Sequence, residues 1–533
     1  MSRIVEFLRS SRAPWLLAIG AAACMSVVAV WWGGLNQDEG WYLYAAQLVY
    51  DGQLPYRDFF FTQGPTMPFV YSVLSPLWRL DASPLHGLLG GRVVTLAIGL
   101  AATLVAMALV RRIVPADRRE LAGLAVFAML GCNIYHLYFT TIPKTYALGG
   151  LFVMAGFLLL AHGLRAVAAP SGKVLLLASG LALAFASGTR ISLILILPVV
   201  GLLLLVCFRE FRWSFLWFGL GGAAGLFLTY GLFALDPPSL RALVAAQSYH
   251  AARGGFDPFF ALGSVSRLLR GYAALCVLGV AAACLARATR QAVAADAAGH
   301  LTLWALAGGF LAVFLLQISA PFPYDDYQVP IMGMLAVITA AWFAKSRGAG
   351  AQVHARAGRF AVLAACGLSF ASPLLQEWAT HAQDRFWSQR KEMSELAQLR
   401  KMGREISCLD PGGTELLTQD LYLAIETGRR VPPGLEMGPF CYFPDWPTEK
   451  ARSLHVMNRE RMERLVDSAP CALAACSGYA FAIAAPSCRE TPFEEQKRYF
   501  ARLKKNYELA DAEPKFGQNA TTLLVLKRRG GAR

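Results

Sequence analysis

Residues 36–65 read NQDEGWYLYAAQLVYDGQLPYRDFFFTQGP, and they follow directly after the first long apolar run of the chain. The stretch opens with two adjacent carboxylates, Asp38 and Glu39, and a YRD cluster follows at 56–58. Acids at the end of a membrane span are costly unless they face water or a polar site, so such residues are candidates for function. This aromatic-rich loop is therefore the first candidate for a functional site.

The composition around this loop is that of a membrane protein. Of the 533 residues, 56% are hydrophobic and 16% are charged, whereas a soluble domain has roughly 25% charged residues. Apolar runs of about 18 residues or more, each long enough to cross a bilayer core, recur through the first 376 residues. The sequence predicts a multi-pass helical membrane protein.

The net charge of +15 does not indicate a nucleic-acid partner, because many of the basic residues lie in short loops between apolar runs. Loops on the amino-terminal side hold most of this charge, and this bias predicts that they face the cytoplasm. The basic start MSRIVEFLRSSRAP resembles the front of a signal peptide, but no convincing cleavage site follows it. We interpret the first run as a retained span.

Eleven spans are predicted. Two of them share the run 173–207, and the other nine lie near 13–34, 86–110, 120–138, 145–164, 214–234, 271–286, 301–319, 329–344 and 360–376. The run 173–207 is divided because one helix of that length would measure about 50 Å, far more than the apolar core. The segment SGTR, with Arg190 at its end, supplies the turn.

Residues 1–376 are therefore predicted to form a transmembrane domain, with long periplasmic loops at 35–85 and 235–268. An odd number of spans puts residues 377–533 on the opposite side from the amino terminus. This tail alternates helical, turn-rich and strand-like stretches, and it predicts a small α/β domain. The expected location is the inner membrane of a bacterium, with a cytoplasmic amino terminus and a periplasmic tail.

Five cysteines lie in the tail, where disulfides would be permitted outside the cytoplasm. Their connectivity cannot be deduced from the sequence, and a zinc site is the weaker interpretation because no CxxC or HxxxH spacing accompanies them. They are Cys408, Cys441, Cys471, Cys476 and Cys488.

The segments QDEGWYLYAAQLVYDGQLPYRDFFFTQGP, GPTMPFVYSVL and GGRVVTLAIGL, the last containing Arg92, occur in this order. In them the chain resembles the GT-C glycosyltransferases, in the branch of the protein O-mannosyltransferases and lipid A aminoarabinose transferases. The resemblance covers roughly residues 30–210, and the later spans follow by pattern. It implies a GT-C fold of about eleven transmembrane helices with the active site on the external face.

The resemblance also implies a reaction. A sugar on a polyprenyl phosphate would pass with inversion to an acceptor hydroxyl, and Asp38 would take the acceptor's proton. Glu39 and Asp58 would be supporting catalytic acids that orient the acceptor or hold a cation. A divalent cation is left open, no metal ligand is assigned because no DxD motif lies near Asp38, and no other cofactor is assigned. The expected partners are the lipid-linked sugar, an acceptor lipid, protein or glycan, and membrane lipids, without nucleic acid.

A leaving phosphate needs fixed positive charge. Some relatives have an acid-lysine-proline-proline segment in the first loop where this chain has TQGP, so another basic residue must replace that lysine. The candidates for donor phosphate binding are Arg57, Lys144, Arg190 and Arg253. The competing interpretation is that each of them extends to the membrane interface or pairs with an acid.

Three further features complete the candidate site. Arg92 is interpreted as a scaffold residue that pairs with Asp58 or another acid, and Tyr327 as site support before a late span. Asp325 and Asp326, next to Tyr327, are interpreted as a solvated loop rather than a metal site. Two other classes of function stay open: a lipid-linked sugar transporter or flippase, and an envelope assembly scaffold.

Overall fold

The computed structural model describes residues 12–80, 83–207, 209–251, 255–286, 293–345, 362–368, 392–478, 483–484 and 489–530. Up to residue 345 the described chain is helical, and the described tail mixes helices with a small sheet. The helices up to residue 345 are α1 (Ala13–Trp32), α2 (Gln37–Tyr50), α3 (Thr66–Ser72), α4 (Pro76–Arg79), α5 (Leu88–Ile113), α6 (Arg119–Leu130), α7 (Ile134–Thr141), α8 (Thr145–Arg165), α9 (Pro170–Thr189), α10 (Ile196–Val206), α11 (Ser214–Leu226), α12 (Leu232–Ala234), α13 (Pro237–Ala251), α14 (Pro258–Gly271), α15 (Ala273–Ala286), α16 (Ala297–Ile318) and α17 (Met332–Lys345).

Among the described residues, seven helices are long and apolar enough to cross a membrane, or up to nine if each of two bent helix pairs is one span. The bent pairs are α6 with α7, at 66°, and α14 with α15, at 80°. The segment Ile191–Val206 is a shorter apolar helix, and of the predicted last span only 362–368 is described, as helix. The chain is a multi-pass membrane protein, and the number eleven stays a prediction.

The predicted break near Arg190 is present. Helix α9 ends at Thr189, a 3₁₀ turn covers Ile191–Leu195, and α10 starts at Ile196. Arg190 itself has an extended backbone, with φ −148° and ψ 115°. The helical hydrogen-bond ladder is thus interrupted at the charged residue, which lies at a helix end rather than inside a span.

The segment 235–268, which was predicted to be a loop, is largely helical in its described part. Helix α13 and most of α14 lie in it, and Asp257 begins α14 by accepting hydrogen bonds from the backbone N–H groups of Phe259 and Phe260. An aspartate N-cap followed by proline at the first helical position is a strong helix start. This signal was present in the sequence.

The tail forms an α/β unit. Its elements are α18 (Glu395–Leu409), β1 (Leu417–Thr418), α19 (Leu421–Thr427), α20 (Thr448–Ser453), α21 (Arg459–Ser468), β2 (Leu473–Cys476), β3 (Ile483–Ala484), β4 (Arg489–Glu490), α22 (Phe493–Asn506), β5 (Tyr507–Phe516) and β6 (Thr521–Arg528). The main sheet has the order β1-β2-β6-β5, with β1 parallel to β2 and the other pairs antiparallel. In a separate two-stranded sheet, β3 pairs antiparallel with β4.

The tail shares its hydrophobic core with the first loop. One buried cluster contains side chains of the helical bundle, and a second joins residues of 30–96 to residues of 396–526. Helix α2 lies at this contact: a Cβ added to Gly40 would come within 2.3 Å of the Tyr422 backbone nitrogen. The tail therefore packs directly on the helix that begins with the two carboxylates.

Of the tail cysteines, the four that lie in the described part of the chain are free thiols. They are Cys408, Cys441, Cys471 and Cys476. Cys488 lies outside the described residues.

Candidate active site

The two adjacent acids of α2 face different environments because of how this helix begins. Asn36 is the N-cap, and its side-chain oxygen accepts a hydrogen bond from the backbone N–H of Asp38 at 3.1 Å. The Glu39 carboxylate turns back and accepts from the Asn36 backbone N–H at 2.8 Å. This reciprocal arrangement is a capping box. It turns Glu39 inward and leaves the Asp38 side chain outside the cap.

Glu39 is fully buried in an ion pair with Arg92 of α5. The Arg92 guanidinium donates to both Glu39 carboxylate oxygens at 2.7 Å. It also donates to the backbone carbonyls of Val30, Gly33 and Gly34 at the end of α1. A bidentate pair with additional carbonyl acceptors satisfies a buried guanidinium. Arg92 therefore pairs with an acid as expected, and this acid is Glu39.

Asp38 lies against Lys144, which immediately precedes α8. The Lys144 ammonium is 2.8 Å from Asp38 Oδ2, and Trp41 Nε1 donates to Asp38 Oδ1 at 3.1 Å. The same ammonium is 3.3 Å from Asp326 Oδ2, which also accepts a hydrogen bond from the Tyr146 hydroxyl at 2.8 Å. One lysine thus bridges two carboxylates from distant parts of the chain.

Arg190 occupies a different electrostatic environment. Its guanidinium carbon is 4.1 Å from the Tyr327 ring centroid and 5.4 Å from that of Tyr146. Among the residues that the structure describes, no carboxylate forms an ion pair with Arg190. Stacking on aromatic faces orients a guanidinium, and its N–H donors stay available for an anion.

Asp38 and Arg190 line the same cavity, whose volume is about 360 Å³. Its walls come from α2, the first loop, the start of α8, the break after α9, the end of α16 with the following turn, and the tail. The lining residues are Asp38, Trp41, Tyr42, Thr62, Gln63, Tyr146, Arg190, Ile191, Ser192, Leu316, Gln317, Ser319, Ala320, Pro321, Phe322, Tyr327, Met437 and Phe440. A carboxylate, an arginine and several aromatic rings therefore face one space.

The size of this cavity and its charged residues fit a site that could bind an anion and move a proton. Its size is within the range of about 300–1,000 Å³ that is usual for ligand pockets. A carboxylate can take a proton from a nucleophile, and a fixed guanidinium can stabilise negative charge on a leaving group. In the described part of the chain, no group of three or more His, Cys, Asp or Glu residues is arranged to hold a metal ion.

No protein-family model and no curated protein matches the sequence. Two solved structures of ArnT from Cupriavidus metallidurans are similar in fold, one bound to undecaprenyl phosphate and one in the apo state. Their TM-scores are 0.59 and 0.63, with 13% sequence identity, and each comparison covers 97% of this chain and 98% of that one. The apo oligosaccharyltransferase of Archaeoglobus fulgidus has a TM-score of 0.50 and 10% identity, over 86% of this chain and 69% of its own. The chain has the GT-C fold.

Within the GT-C fold of this chain, some predicted site residues lie together and others do not. Asp38, Arg190 and Tyr327 line the cavity. Lys144 contacts Asp38 but is not part of the cavity wall. Glu39 is enclosed in its pair with Arg92.

The YRD cluster lies apart from this space. Arg57 and Asp58 pair with each other at 2.8 Å, and Asp58 accepts a hydrogen bond from the Leu54 backbone N–H at 2.7 Å. Neither residue lines the cavity. Arg253 lies outside the described residues. Of the described residues that were expected to bind the donor phosphate, Arg190 is therefore the one that lines the cavity.

Sequence reasoning missed Asp326, which it interpreted as part of a solvated loop. Asp326 instead contacts Lys144 and Tyr146, and its side chain is only 14% exposed. Its neighbour Asp325 pairs with Arg267 at 3.0 Å and accepts from the Tyr135 hydroxyl at 2.6 Å. The available signal was the one used for Asp38: both acids lie at the end of an apolar span. The wall formed by Met437 and Phe440 of the tail had no comparable signal.

Proposed function

We propose that this protein is a membrane glycosyltransferase, which transfers a sugar from a polyprenyl-phosphate donor to an acceptor hydroxyl. The observation that carries this proposal is the shared cavity of Asp38 and Arg190, in which the arginine has no carboxylate partner among the described residues. The fold agrees, because ArnT from Cupriavidus metallidurans was crystallised with undecaprenyl phosphate. Transport and scaffolding explain less well why a carboxylate and an arginine line one cavity.

The reaction follows from the chemistry of these two groups. The acceptor hydroxyl loses its proton to an Asp38 carboxylate oxygen while the hydroxyl oxygen forms a bond to the anomeric carbon. The bond from that carbon to the phosphate oxygen breaks, and the electron pair leaves with the lipid phosphate. A single displacement with one base inverts the anomeric centre.

Arg190 acts on the donor side of this displacement. Negative charge builds up on the phosphate oxygen as its bond to the sugar breaks, and a guanidinium held in place beforehand stabilises that charge. The Arg190 guanidinium lies over the rings of Tyr327 and Tyr146, which help to hold it in place. Because no carboxylate among the described residues pairs with it, its N–H donors can bind phosphate oxygens.

The cavity walls explain how a lipid-linked substrate can reach the site. Ile191 and Leu316 line the cavity and are 42% and 45% exposed, so apolar side chains of the bundle surface stand at its edge. We infer that the isoprenoid chain stays in the bilayer while the phosphate and sugar enter between these two residues. Trp41, Tyr42 and Phe440 also line the cavity and supply aromatic surface next to the sugar.

We further propose that the site faces the periplasm of a bacterial inner membrane. The cavity lies near the start of α8 and the end of α9. Basic residues lie at the other ends of the bundle helices, with Arg111 and Arg112 in the last turn of α5 and Arg165 in that of α8. Positive charge of this kind favours the cytoplasmic side. On this proposal Glu39 is a scaffold residue, and Asp58 stabilises a turn.

Mass spectrometry of envelope lipids, glycans and proteins tests this function. Cells that produce the wild-type protein are compared with cells that produce Asp38→Asn, and Asp51→Asn serves as the control. Asp51 is an acid of the same loop that pairs with Arg79 and Arg430 away from the cavity. We expect Asp38→Asn to accumulate a polyprenyl-phosphate sugar and to lose one glycosylated product, whereas Asp51→Asn keeps the wild-type profile. Identical profiles for wild type and Asp38→Asn would refute the proposal.

A further inference from the structure

Lys144 makes contacts that differ from those expected of a phosphate ligand. Its side chain is only 7% exposed, and its ammonium lies between Asp38 and Asp326. An ammonium has three N–H donors, and two of them are directed at carboxylates at 2.8 and 3.3 Å. Its nitrogen is also 5.2 Å from the centroid of the Tyr146 ring. Little of this group is left for a substrate.

The position of Lys144 relative to the cavity also distinguishes it from a phosphate ligand. Asp38, Tyr146 and Arg190 line the cavity, but Lys144 and Asp326 do not. Lys144 therefore contacts Asp38 from behind the wall. Arg190 has its guanidinium on aromatic faces and is part of the wall.

We propose that Lys144 is a fixed internal cation that bridges Asp38 and Asp326 and so positions the Asp38 carboxylate to receive the acceptor's proton. This inference rests on the proposed transferase function and assigns positioning roles to Lys144 and Asp326. Burial would lower the pKa of Lys144, but the charge of Asp38, together with Tyr146 and Asp326, raises that pKa well above its ordinary value. The lysine is therefore protonated while Asp38 is ionised.

The charges explain why two acids share one lysine. With Asp38 and Asp326 ionised and Lys144 protonated, the three side chains together have a net charge of −1. Uptake of the acceptor's proton by Asp38 makes the group neutral. With only one acid the pair would begin neutral, and the same proton would create a buried positive charge, which is costly. The negative charge of Asp326 thus allows Asp38 to take up a proton without leaving a net positive charge in the buried group.

Asp326 also connects the two halves of the site. Its neighbour Tyr327 contacts the face of Arg190, and Asp326 itself holds Lys144 behind Asp38. Tyr146 serves both sides, because its hydroxyl donates to Asp326 and its ring lies near Arg190. Asp326 and Tyr327, both in the 3₁₀ turn Asp325–Ile331, therefore fix the base and the phosphate-binding arginine relative to each other.

The first test separates a positioning role from donor binding. Binding of undecaprenyl phosphate and the turnover number for sugar transfer are measured for wild type, Lys144→Met, Lys144→Arg, Asp326→Asn and Arg190→Gln. We expect Lys144→Met to lose about 100-fold in kcat and Asp326→Asn about tenfold, while both bind the lipid within about threefold of wild type. Lys144→Arg keeps the cation and recovers part of the turnover. Asp325→Asn is the matched control, because this adjacent acid pairs with Arg267 instead, and it should keep near-normal turnover.

The second test needs no sugar transfer. Removal of the ammonium in Lys144→Met leaves two carboxylates facing one position, and carboxylate oxygens suit Mn²⁺. Electron paramagnetic resonance of the purified protein titrated with Mn²⁺ should show uptake by Lys144→Met at concentrations at which wild type and Lys144→Met/Asp326→Asn show none.

Three results would overturn the inference: loss of lipid binding in Lys144→Met as large as in Arg190→Gln, wild-type turnover in Asp326→Asn, or no Mn²⁺ uptake by Lys144→Met. If wild type neither binds undecaprenyl phosphate nor transfers sugar, the proposed function fails. The Mn²⁺ titration then still decides whether Lys144 fills a cation position between two carboxylates.

Discussion

Asp38 and Glu39 are neighbours in the sequence but have separate roles. Successive helix residues point about 100° apart, and the third residue of a capping box turns back to the helix start. Glu39 therefore lies inside, on Arg92, and Asp38 lies on the cavity. The pattern Asn36-Gln-Asp-Glu39 contained this signal, so the difference between the two acids could have been predicted before the structure.

The Glu39–Arg92 pair should matter for folding rather than for chemistry. Both side chains are almost fully buried, at 0% and 1% exposure. Removal of one partner from a buried pair typically costs about 3–5 kcal/mol, because the other charge is left unpaired. We expect Arg92→Met to reduce the yield of folded protein strongly and to lower the melting temperature in detergent.

Arg57→Met is the control for this change, because Arg57 belongs to an exposed pair with Asp58. Exposed pairs contribute little to stability, so its melting temperature should stay near that of wild type. Equal melting temperatures of Arg92→Met and wild type would contradict the scaffold role of Arg92.

Glu436 in the tail gives a prediction about pH. Burial raises its pKa from the ordinary 4.5 to about 7, although the Gly434 backbone N–H donates to the carboxylate and favours ionisation. The folded state then binds the proton more tightly than the unfolded state, so stability falls as the pH rises from 4.5 and levels off above about 7. The loss is on the order of 3 kcal/mol.

Glu436→Gln cannot ionise, so it should flatten this part of the stability curve. The melting temperatures of both proteins at pH 5 and pH 8 check the prediction. Between these two pH values, we expect the melting temperature of wild type to fall more than that of Glu436→Gln. The same pH dependence in both proteins would show that Glu436 is not the group responsible.

At the scale of elements, length and apolarity predicted most of the helices. The break at Arg190 followed from a run too long for one span. Contacts between distant segments could not be predicted this way. The contact of Asp326 with Lys144 joins the residues before α17 to those before α8, and local patterns contain no record of such a pairing.

Glycine at position 40 tests the contact between α2 and the tail. Glycine to alanine inside a helix normally stabilises by about 1 kcal/mol. At Gly40 the added Cβ would lie only 2.3 Å from the Tyr422 backbone nitrogen. Alanine at this position should therefore destabilise the protein. We expect Gly40→Ala to lower the melting temperature and to make the tail more sensitive to protease.

Gly20 in α1 is the matched control, because a Cβ there meets no atom within 4 Å. Gly20→Ala should be neutral or slightly stabilising. If Gly40→Ala behaved in the same way, the close packing of the tail on α2 would be wrong.

At the scale of the whole molecule, the tail is part of the site. It shares a core with the first loop, and Met437 and Phe440 form part of the cavity wall. Further contacts join it to the start of α2, where Gln518 accepts a hydrogen bond from the Gln37 backbone N–H at 2.9 Å. The sequence predicted a small α/β unit on the side of the first loop, but not that it closes the cavity.

This arrangement requires the tail and the cavity to face the same compartment. An alkaline phosphatase fused to the carboxyl terminus should be active, since that enzyme folds only outside the cytoplasm. A fusion in the link 166–169 between α8 and α9, at the opposite ends of these helices, should be inactive. The reverse pattern would place the cavity on the cytoplasmic side and contradict the proposed orientation.

The central claim is that Asp38 performs the chemistry and Arg190 binds the donor phosphate within one cavity. It is tested most directly by binding of undecaprenyl phosphate and sugar transfer, measured together on purified wild type, Asp38→Asn and Arg190→Gln. We predict that Asp38→Asn binds the lipid like wild type but transfers sugar at least about 100-fold more slowly, and that Arg190→Gln binds the lipid roughly tenfold or more weakly. Near-normal transfer by Asp38→Asn, or wild-type lipid binding by Arg190→Gln, would contradict the account.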